Sequence, residues 1–138
     1  MKDMILLALL ALAGCTAHGR IGALPVVPQP DQAAEIVVIR EWRYMGSANN
    51  IPVTLNGVPV YGLATREHAI IRVPPGQHII GIAPKGLWLN ESTVNVQADA
   101  GQRYYFYIET TVVGGTFLLQ PTSEAAGQGL MTKTTRIE

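Results

Sequence analysis

Hydrophobic and polar residues alternate over short stretches of this chain, and turn residues separate the stretches about every eight to twelve positions. Alternation of this kind is typical of β-strands, because successive side chains of a strand point to opposite faces. The stretch 36–39 is apolar and β-branched throughout, which predicts a strand buried on both faces. The pattern predicts an all-β fold: a small β-sandwich or open barrel of about seven to eight mostly antiparallel strands.

A short C-terminal helix is also indicated, over residues 123–131. Two glycines, Gly127 and Gly129, weaken this prediction, because each disfavours a helix by about 1 kcal/mol relative to alanine.

Two hairpins are predicted from turn residues. The dipeptide Asn56-Gly57 joins two strand-like stretches, and both residue types tolerate the positive φ that a two-residue hairpin turn requires. A second hairpin is expected around 74–76, with Val73 facing His78 across it. Alternation then places Ile71, Val73, Ile80 and Ile82 on the core face of this hairpin, with His78 at the edge of the core, and Arg72 on the solvent face.

The stretch 104–107 is the most aromatic strand. Period two predicts that Tyr104 and Phe106 point into the core, and that Tyr105 and Tyr107 lie on the outer face. Exposed tyrosines stack on sugar rings or anchor a protein partner, so Tyr105, Tyr107 and Arg72 form the candidate binding surface. The alternative is that the N-terminal segment, the C-terminal helix or the second sheet covers the two tyrosines.

The N-terminus reads as a targeting segment. Lys2 precedes an apolar run over 5–13, too short to span a bilayer but typical of a secretory signal. The run ends in Leu-Ala-Gly-Cys at 12–15, which resembles a bacterial lipobox. This resemblance implies cleavage between Gly14 and Cys15 and attachment of diacylglycerol and a further acyl chain, such as palmitate, to Cys15. The alternative is an ordinary signal peptide with a chance cysteine.

Three segments follow from this interpretation: a signal peptide over 1–14, a lipidated cysteine and tether over 15–34, and a β-sandwich domain over 35–138. Pro25, Pro28 and Pro30 favour an extended tether. The alternative is an arm that packs on the domain through Leu24 and its apolar neighbours. The residue after the cysteine is Thr16. By the usual sorting rule for such lipoproteins, this implies that the protein is anchored at the periplasmic face of the outer membrane.

Composition and motifs exclude several functions. Ten basic and ten acidic residues give a formal net charge of zero, which argues against a nucleic-acid partner. The chain contains neither a Gly-x-Ser-x-Gly nor a His-Glu-x-x-His motif, and its single cysteine cannot build a cysteine-rich metal site. The expected placement of His68 and His78 at opposite ends of one hairpin disfavours a shared metal. We therefore expect no catalytic residues, no metal and no cofactor.

The turns and strands over 35–109 resemble a family of small bacterial lipoproteins known only as a domain of unknown function. They also resemble the broader PEGA-type surface domains, although Pro75-Gly76-Gln77-His78 stands where the PEGA tetrapeptide would be. The resemblance implies a β-domain behind a lipobox and brings no catalytic residues with it.

Together these features predict an outer-membrane-anchored periplasmic lipoprotein, acting as a non-enzymatic binding or structural module of the cell envelope. Its expected partners are the membrane, through Cys15, and another envelope protein or a cell-wall glycan. The alternatives are a glycan- or peptidoglycan-binding module, and an envelope hydrolase or an inhibitor of one.

Overall fold

The computed structural model describes residues 18–42, 49–84, 91–110 and 116–138. These residues form ten strands and one helix, with a single 3-10 turn at Pro30–Gln32. The elements are β1 (Gly19–Arg20), β2 (Ala34–Arg40), β3 (Ile51–Leu55), β4 (Val58–Leu63), β5 (Glu67–Val73), β6 (Gly76–Ile82), β7 (Ser92–Ala98), β8 (Arg103–Thr110), β9 (Phe117–Thr122), α1 (Glu124–Met131) and β10 (Thr135–Arg136).

The strands form two five-stranded sheets, which confirms the predicted β-sandwich. Sheet A has the order β1-β4-β3-β6-β7, and sheet B has the order β10-β5-β2-β8-β9. Neighbours are antiparallel except that β2 pairs with β8, and β10 with β5, in parallel. The main core lies between the sheets and includes Ile36 and Phe106 from sheet B and Val53 and Ile80 from sheet A.

The hairpin predicted at Asn56-Gly57 joins β3 to β4. Both residues have positive φ, 51° and 82°, as expected for a two-residue turn whose twist matches that of the flanking strands. The Asn56 side chain also reaches the next strand, because its Oδ1 accepts a hydrogen bond from the Ile79 amide at 2.8 Å. The turn is therefore tied to β6 as well as closing its own hairpin.

The second predicted hairpin is wrong: β5 lies in sheet B and β6 in sheet A, so Val73 and His78 are not cross-strand partners. The connection contains Pro74 and Pro75, whose rings fix φ near −65°. Two-residue hairpin turns need a positive φ at the first central residue, which proline cannot adopt. The chain consequently crosses from one sheet to the other at this point.

Although the pairing differs, the predicted inward-facing residues are correct. Ile71 and Val73 in β5, and Ile80 and Ile82 in β6, all lie in the main core, because both sheets turn their inner faces towards it. His78 lies at the edge of this core, as expected. Its Nε2 donates to the Pro74 carbonyl at 2.7 Å, and its Nδ1 accepts from the Asn56 side-chain amide at 3.1 Å.

The outer face of sheet B is covered by α1, the predicted C-terminal helix. Ser123 caps the helix by accepting a hydrogen bond from the Ala126 amide at 3.2 Å. A second apolar cluster forms beneath it, built from Val37, Ile39, Ile70 and Tyr105 and contacted by Leu130 and Met131. Strand β2 is thus buried on both faces, which confirms the prediction from its continuous apolar run.

The segment that precedes β2 lies along the sandwich over its described part. Gly19 and Arg20 pair with Gly62 and Tyr61 of β4, and Leu24 packs against the main core. The His18 Nε2 lies 2.6 Å from a carboxylate oxygen of Glu67. This part of the chain follows the alternative interpretation, an arm that packs on the domain; residues 18–33 are called the arm below.

Within the described residues, no helix is both long enough and apolar enough to cross a membrane.

Candidate functional site

Tyr105 is buried, whereas the sequence predicted that it lies on an exposed binding surface. The alternation is correct, because Phe106 faces the main core and Tyr105 the opposite side of sheet B. However, α1 covers that side, and Tyr105 is only 4% exposed. Tyr107 is half-buried and packs against the same cluster. The prediction of an exposed tyrosine pair is therefore wrong, and the covering helix is the reason.

Arg72 is exposed, as predicted, and its surroundings are more specific than a solvent-facing strand position. Its Nη2 donates a hydrogen bond to the Pro30 carbonyl at 2.7 Å, joining β5 to the arm. An arginine carries five N–H donors, and within the described residues Arg72 forms this one hydrogen bond, so its other donors can bind a ligand. Arg72 lines a cleft of about 430 Å³ between the arm and one side of the sandwich.

Three arginines line this cleft, each contributed by a different element. Arg20 comes from β1 in the arm, Arg72 from β5, and Arg136 from β10. The topology brings them together, since β1 pairs with β4 at the edge of sheet A and β10 pairs with β5 at the edge of sheet B. We refer to this site as the arginine cleft.

The charges in the arginine cleft are unbalanced. Glu138 is the single acidic side chain among its lining residues. Within the described part of the chain, neither Arg20 nor Arg136 forms an ion pair with a carboxylate. Burial raises the pKa of the Tyr61 phenol; the positive charges of Arg20 and Arg136 lower this pKa, and the negative charge of Glu138 raises it. The side chains that line the cleft therefore carry a net positive charge, next to a buried phenol.

Part of the wall of the arginine cleft is apolar. It is formed by the buried side chains Tyr61 and Ile70 and by the partly buried Leu24, Val27 and Ile137. Guanidinium groups bind carboxylates and phosphates through paired, charge-assisted hydrogen bonds, which are stronger where the surroundings exclude water. This arrangement suits an anionic group attached to an apolar or ring-shaped moiety.

Sequence reasoning identified one of the three arginines. Arg20 lies in the segment interpreted as a tether, and Arg136 lies near the other end of the chain. No local motif links them, because the cleft exists only once β1 and β10 have paired at the same side of the two sheets. The one available signal was the alternation that placed Arg72 on an outer face.

A second, smaller cavity of about 290 Å³ lies beside Trp42 and is lined by Arg66, Lys133 and Thr134, among others. Trp42 is 51% exposed, and the Arg66 guanidinium lies 5.9 Å from the centre of its ring, within the range of a cation–π contact. Arg40, two residues before Trp42, is instead buried.

Buried Arg40 ties the two sheets together. Its Nη1 donates to the carbonyls of Asn49 and Leu63, each at 2.6 Å, and its guanidinium lies 5.8 Å from the centre of the Phe117 ring. Burial lowers the pKa of Arg40 to about 10, although the carboxylate of Glu67 acts in the opposite direction. The Arg40 guanidinium therefore stays charged at neutral pH, and its hydrogen bonds stabilise the contact between the two sheets.

The two histidines considered for a metal are in different sheets, His68 in β5 and His78 in β6. His68 Nδ1 lies 2.7 Å from the Thr134 hydroxyl, and both ring nitrogens of His78 are hydrogen-bonded, as described above. Among the residues described, no three His, Cys, Asp or Glu side chains are grouped so as to hold a metal ion.

The signal-peptide and lipidation residues, including Gly14 and Cys15, lie outside the described residues. In comparisons with protein-family models, curated proteins and solved structures, nothing matches the chain. The arginine cleft is the candidate functional site within the described residues.

Proposed function

We propose that the protein is a non-enzymatic binding module of the cell envelope, held by a lipid on Cys15 at the periplasmic face of the outer membrane. Its ligand site is the arginine cleft. The observation that carries this proposal is the convergence of Arg20, Arg72 and Arg136 from three elements on one partly apolar cleft, whose lining includes a single acidic side chain. An excess of guanidinium groups in such a cleft favours an anionic ligand.

The anchor is tested by replacing the nucleophile that would receive the lipid. Full-length Cys15→Ala should leave the membrane fraction after a salt wash, because the substitution removes the thiol that would carry the proposed lipid anchor. The matched control is Thr16→Ala, which leaves the thiol in place and should remain in the membrane fraction. Mass spectrometry of the wild-type N-terminal peptide should show acyl chains on Cys15, and an unmodified thiol there would contradict the proposal.

The binding role is tested by crosslinking whole envelopes and isolating the full-length lipidated chain. We expect an envelope component to be captured by the wild type and to be reduced by Arg20→Gln/Arg136→Gln. The charge-matched control Arg66→Gln/Lys133→Gln also removes two positive charges, but from the Trp42 cavity instead of the arginine cleft, and should retain the captured component; loss of capture in this variant alone would assign the component to the Trp42 cavity. Equal capture by both variants would contradict a role for the cleft. Turnover of a cell-wall fragment by the purified protein would contradict the non-enzymatic assignment.

A glycan-binding module is the second candidate, and exposed Trp42 favours it. A half-exposed indole beside Arg66 and a hydroxyl offers a stacking surface and hydrogen-bond donors for a sugar. Co-sedimentation with purified cell wall should then decrease in Trp42→Ala and be unchanged in Arg20→Gln/Arg136→Gln. The opposite result would assign wall binding to the arginine cleft.

A further inference from the structure

The arm connects the arginine cleft to the proposed lipid attachment point by a very short stretch of chain. Five residue steps separate Cys15 from Arg20, and an extended chain advances at most about 3.6 Å per residue. Arg20 therefore lies within roughly 18 Å of the cysteine Cα, whatever path the intervening residues take. A lipid on Cys15 would place that Cα at the surface of the bilayer, so the cleft would be held beside the headgroup layer.

The arm also presents an apolar side chain next to the cleft. Val26 is 81% exposed, the largest value among the exposed large hydrophobic residues of the described chain. Its two neighbours, Pro25 and Val27, both line the arginine cleft. Interfacial membrane-binding surfaces combine exposed apolar side chains with basic residues. The apolar side chain inserts between lipid headgroups, and the arginines contact the lipid phosphates.

The arginines and the apolar residues of the cleft are also suited to contact with a lipid headgroup layer. Arg72 is held against the arm by its bond to the Pro30 carbonyl, and Arg20 and Arg136 have no carboxylate partner within the described residues. Exposed charges are largely screened beyond about one Debye length, roughly 8 Å at physiological ionic strength, so these arginines would act on headgroups that directly contact the cleft. The apolar part of the wall, formed by side chains such as Leu24 and Val27, can contact the glycerol and upper acyl region of a lipid.

We propose that the arginine cleft binds the phosphate-ester headgroup of an anionic phospholipid in the leaflet that carries the protein's own lipid anchor. The inference rests on the proposed anchoring at Cys15. It adds a second contact with the membrane, which fixes the orientation of the sandwich: the arm and the β5–β10 edge face the bilayer, and β9 lies at the far edge of sheet B. Anchor and cleft would then act together, because the tethered cleft meets headgroups at a high effective concentration.

The test uses residues 15–138 with Cys15→Ala, the chain that remains after the expected cleavage, which contains every residue of both sheets. Binding is measured by co-sedimentation with phosphatidylcholine vesicles, with and without phosphatidylglycerol, at about physiological ionic strength. We expect binding that requires phosphatidylglycerol. Arg20→Gln/Arg136→Gln should weaken it about tenfold or more, whereas the charge-matched Arg66→Gln/Lys133→Gln should change it less than about threefold.

Two further variants, together with one control variant, test the inference if the arginine substitutions disturb folding. Glu138→Gln removes the acidic side chain of the cleft and should strengthen binding to phosphatidylglycerol vesicles. Val26→Gln should weaken binding, whereas Leu118→Gln, at an exposed apolar position on the far edge strand β9, should not. Equal effects of the two members of either matched pair would overturn the inference, because they would indicate diffuse attraction by the whole surface.

Glycerol phosphate identifies the source of the anion. If it competes at concentrations similar to the lipid concentration, the cleft binds soluble phosphate esters, and the membrane assignment is wrong. If phosphatidylglycerol vesicles do not bind at all, the inference fails even where Cys15 proves to be lipidated. If Cys15 is unmodified but vesicle binding has the expected residue dependence, the proposed anchor fails and headgroup recognition remains.

Discussion

Tyr105 and Gly127 are in direct contact: a β-carbon added to Gly127 would overlap the ring of Tyr105. Tyr105 projects from β8 on the outer face of sheet B, and Gly127 lies on the side of α1 that faces it. The glycine thus lets the helix backbone approach the aromatic ring closely. This contact explains why a residue that disfavours helices occupies the middle of an eight-residue helix.

Gly127→Ala should therefore destabilise the protein even though alanine is the better helix former. We expect a loss of about 1–3 kcal/mol in the free energy of unfolding, because the methyl group forces the helix away from Tyr105. Gly129→Ala is the matched control in the same helix, since a β-carbon there meets nothing within 4 Å. It should stabilise the protein by up to about 1 kcal/mol through helix propensity. Denaturant melts of both variants check the prediction, and a shift of the same sign in both would contradict it.

Tyr105→Ala and Phe106→Ala should both be severely destabilising, although the two side chains point to opposite faces of β8. Each is 4% exposed: Phe106 lies in the main core and Tyr105 beneath α1. Large-to-small substitutions at such sites cost about 3–5 kcal/mol for an aromatic residue. Leu118→Ala, at a 37% exposed position, should cost much less. Urea unfolding curves would test this, and a Tyr105→Ala midpoint close to that of Leu118→Ala would show that the helix does not cover the ring.

The sequence predicted the inner faces of the strands but not which sheet each strand joins. Alternation placed Ile71, Val73 and Ile80 in the core, and they are there. Sheet membership depends on the connections instead. The dipeptide Asn56-Gly57 closes a hairpin, whereas Pro74-Pro75 cannot adopt the required φ and passes the chain to the opposite sheet.

The candidate site was less predictable than the fold, for two physical reasons. Period two shows that Tyr105 leaves the core face, but it cannot show that α1 covers the opposite face. The arginine cleft depends on two strands of two residues each, β1 and β10, which are too short to give an alternating pattern. Arg20 and Arg136 therefore carried no local signal of their common location.

Asn56 should be important for stability through both its backbone and its side chain. Its φ of 51° is unfavourable for most residues, and its amide donates to His78 Nδ1 while its Oδ1 accepts from the Ile79 amide. Asn56→Ala should lower the free energy of unfolding by about 1–3 kcal/mol. Asn56→Gly, which tolerates this φ and lacks only the side-chain bonds, should lose less. Thermal melts compare the two, and equal losses would assign the whole effect to the hydrogen bonds.

His68 should make the stability of the protein decrease as the pH falls below neutral. The ring is 5% exposed, and its pKa is lowered from the ordinary value by burial and then by the positive charges of Arg136 and Arg103. Below the unfolded pKa of about 6.5, the unfolded chain therefore binds a proton that the folded chain does not. The contribution of His68 to the free energy of unfolding is fully present above about pH 6.5. It is lost progressively as the pH falls towards the lower pKa of the folded state. The Thr134 hydroxyl lies 2.7 Å from Nδ1 and donates to the Leu130 carbonyl at 3.2 Å, which links His68 to the end of α1.

The contribution of His68 is obtained from the difference between two pH profiles. The free energy of unfolding of the wild type and of His68→Gln is measured in urea between about pH 7.5 and about pH 5.5. Glutamine retains a hydrogen-bonding side chain but does not titrate, so the variant should lose less stability across this range than the wild type. All other titrating groups are common to both proteins and cancel in the comparison. Parallel profiles would show that His68 takes up its proton equally well in the folded and unfolded chains, which its burial against Arg136 should prevent.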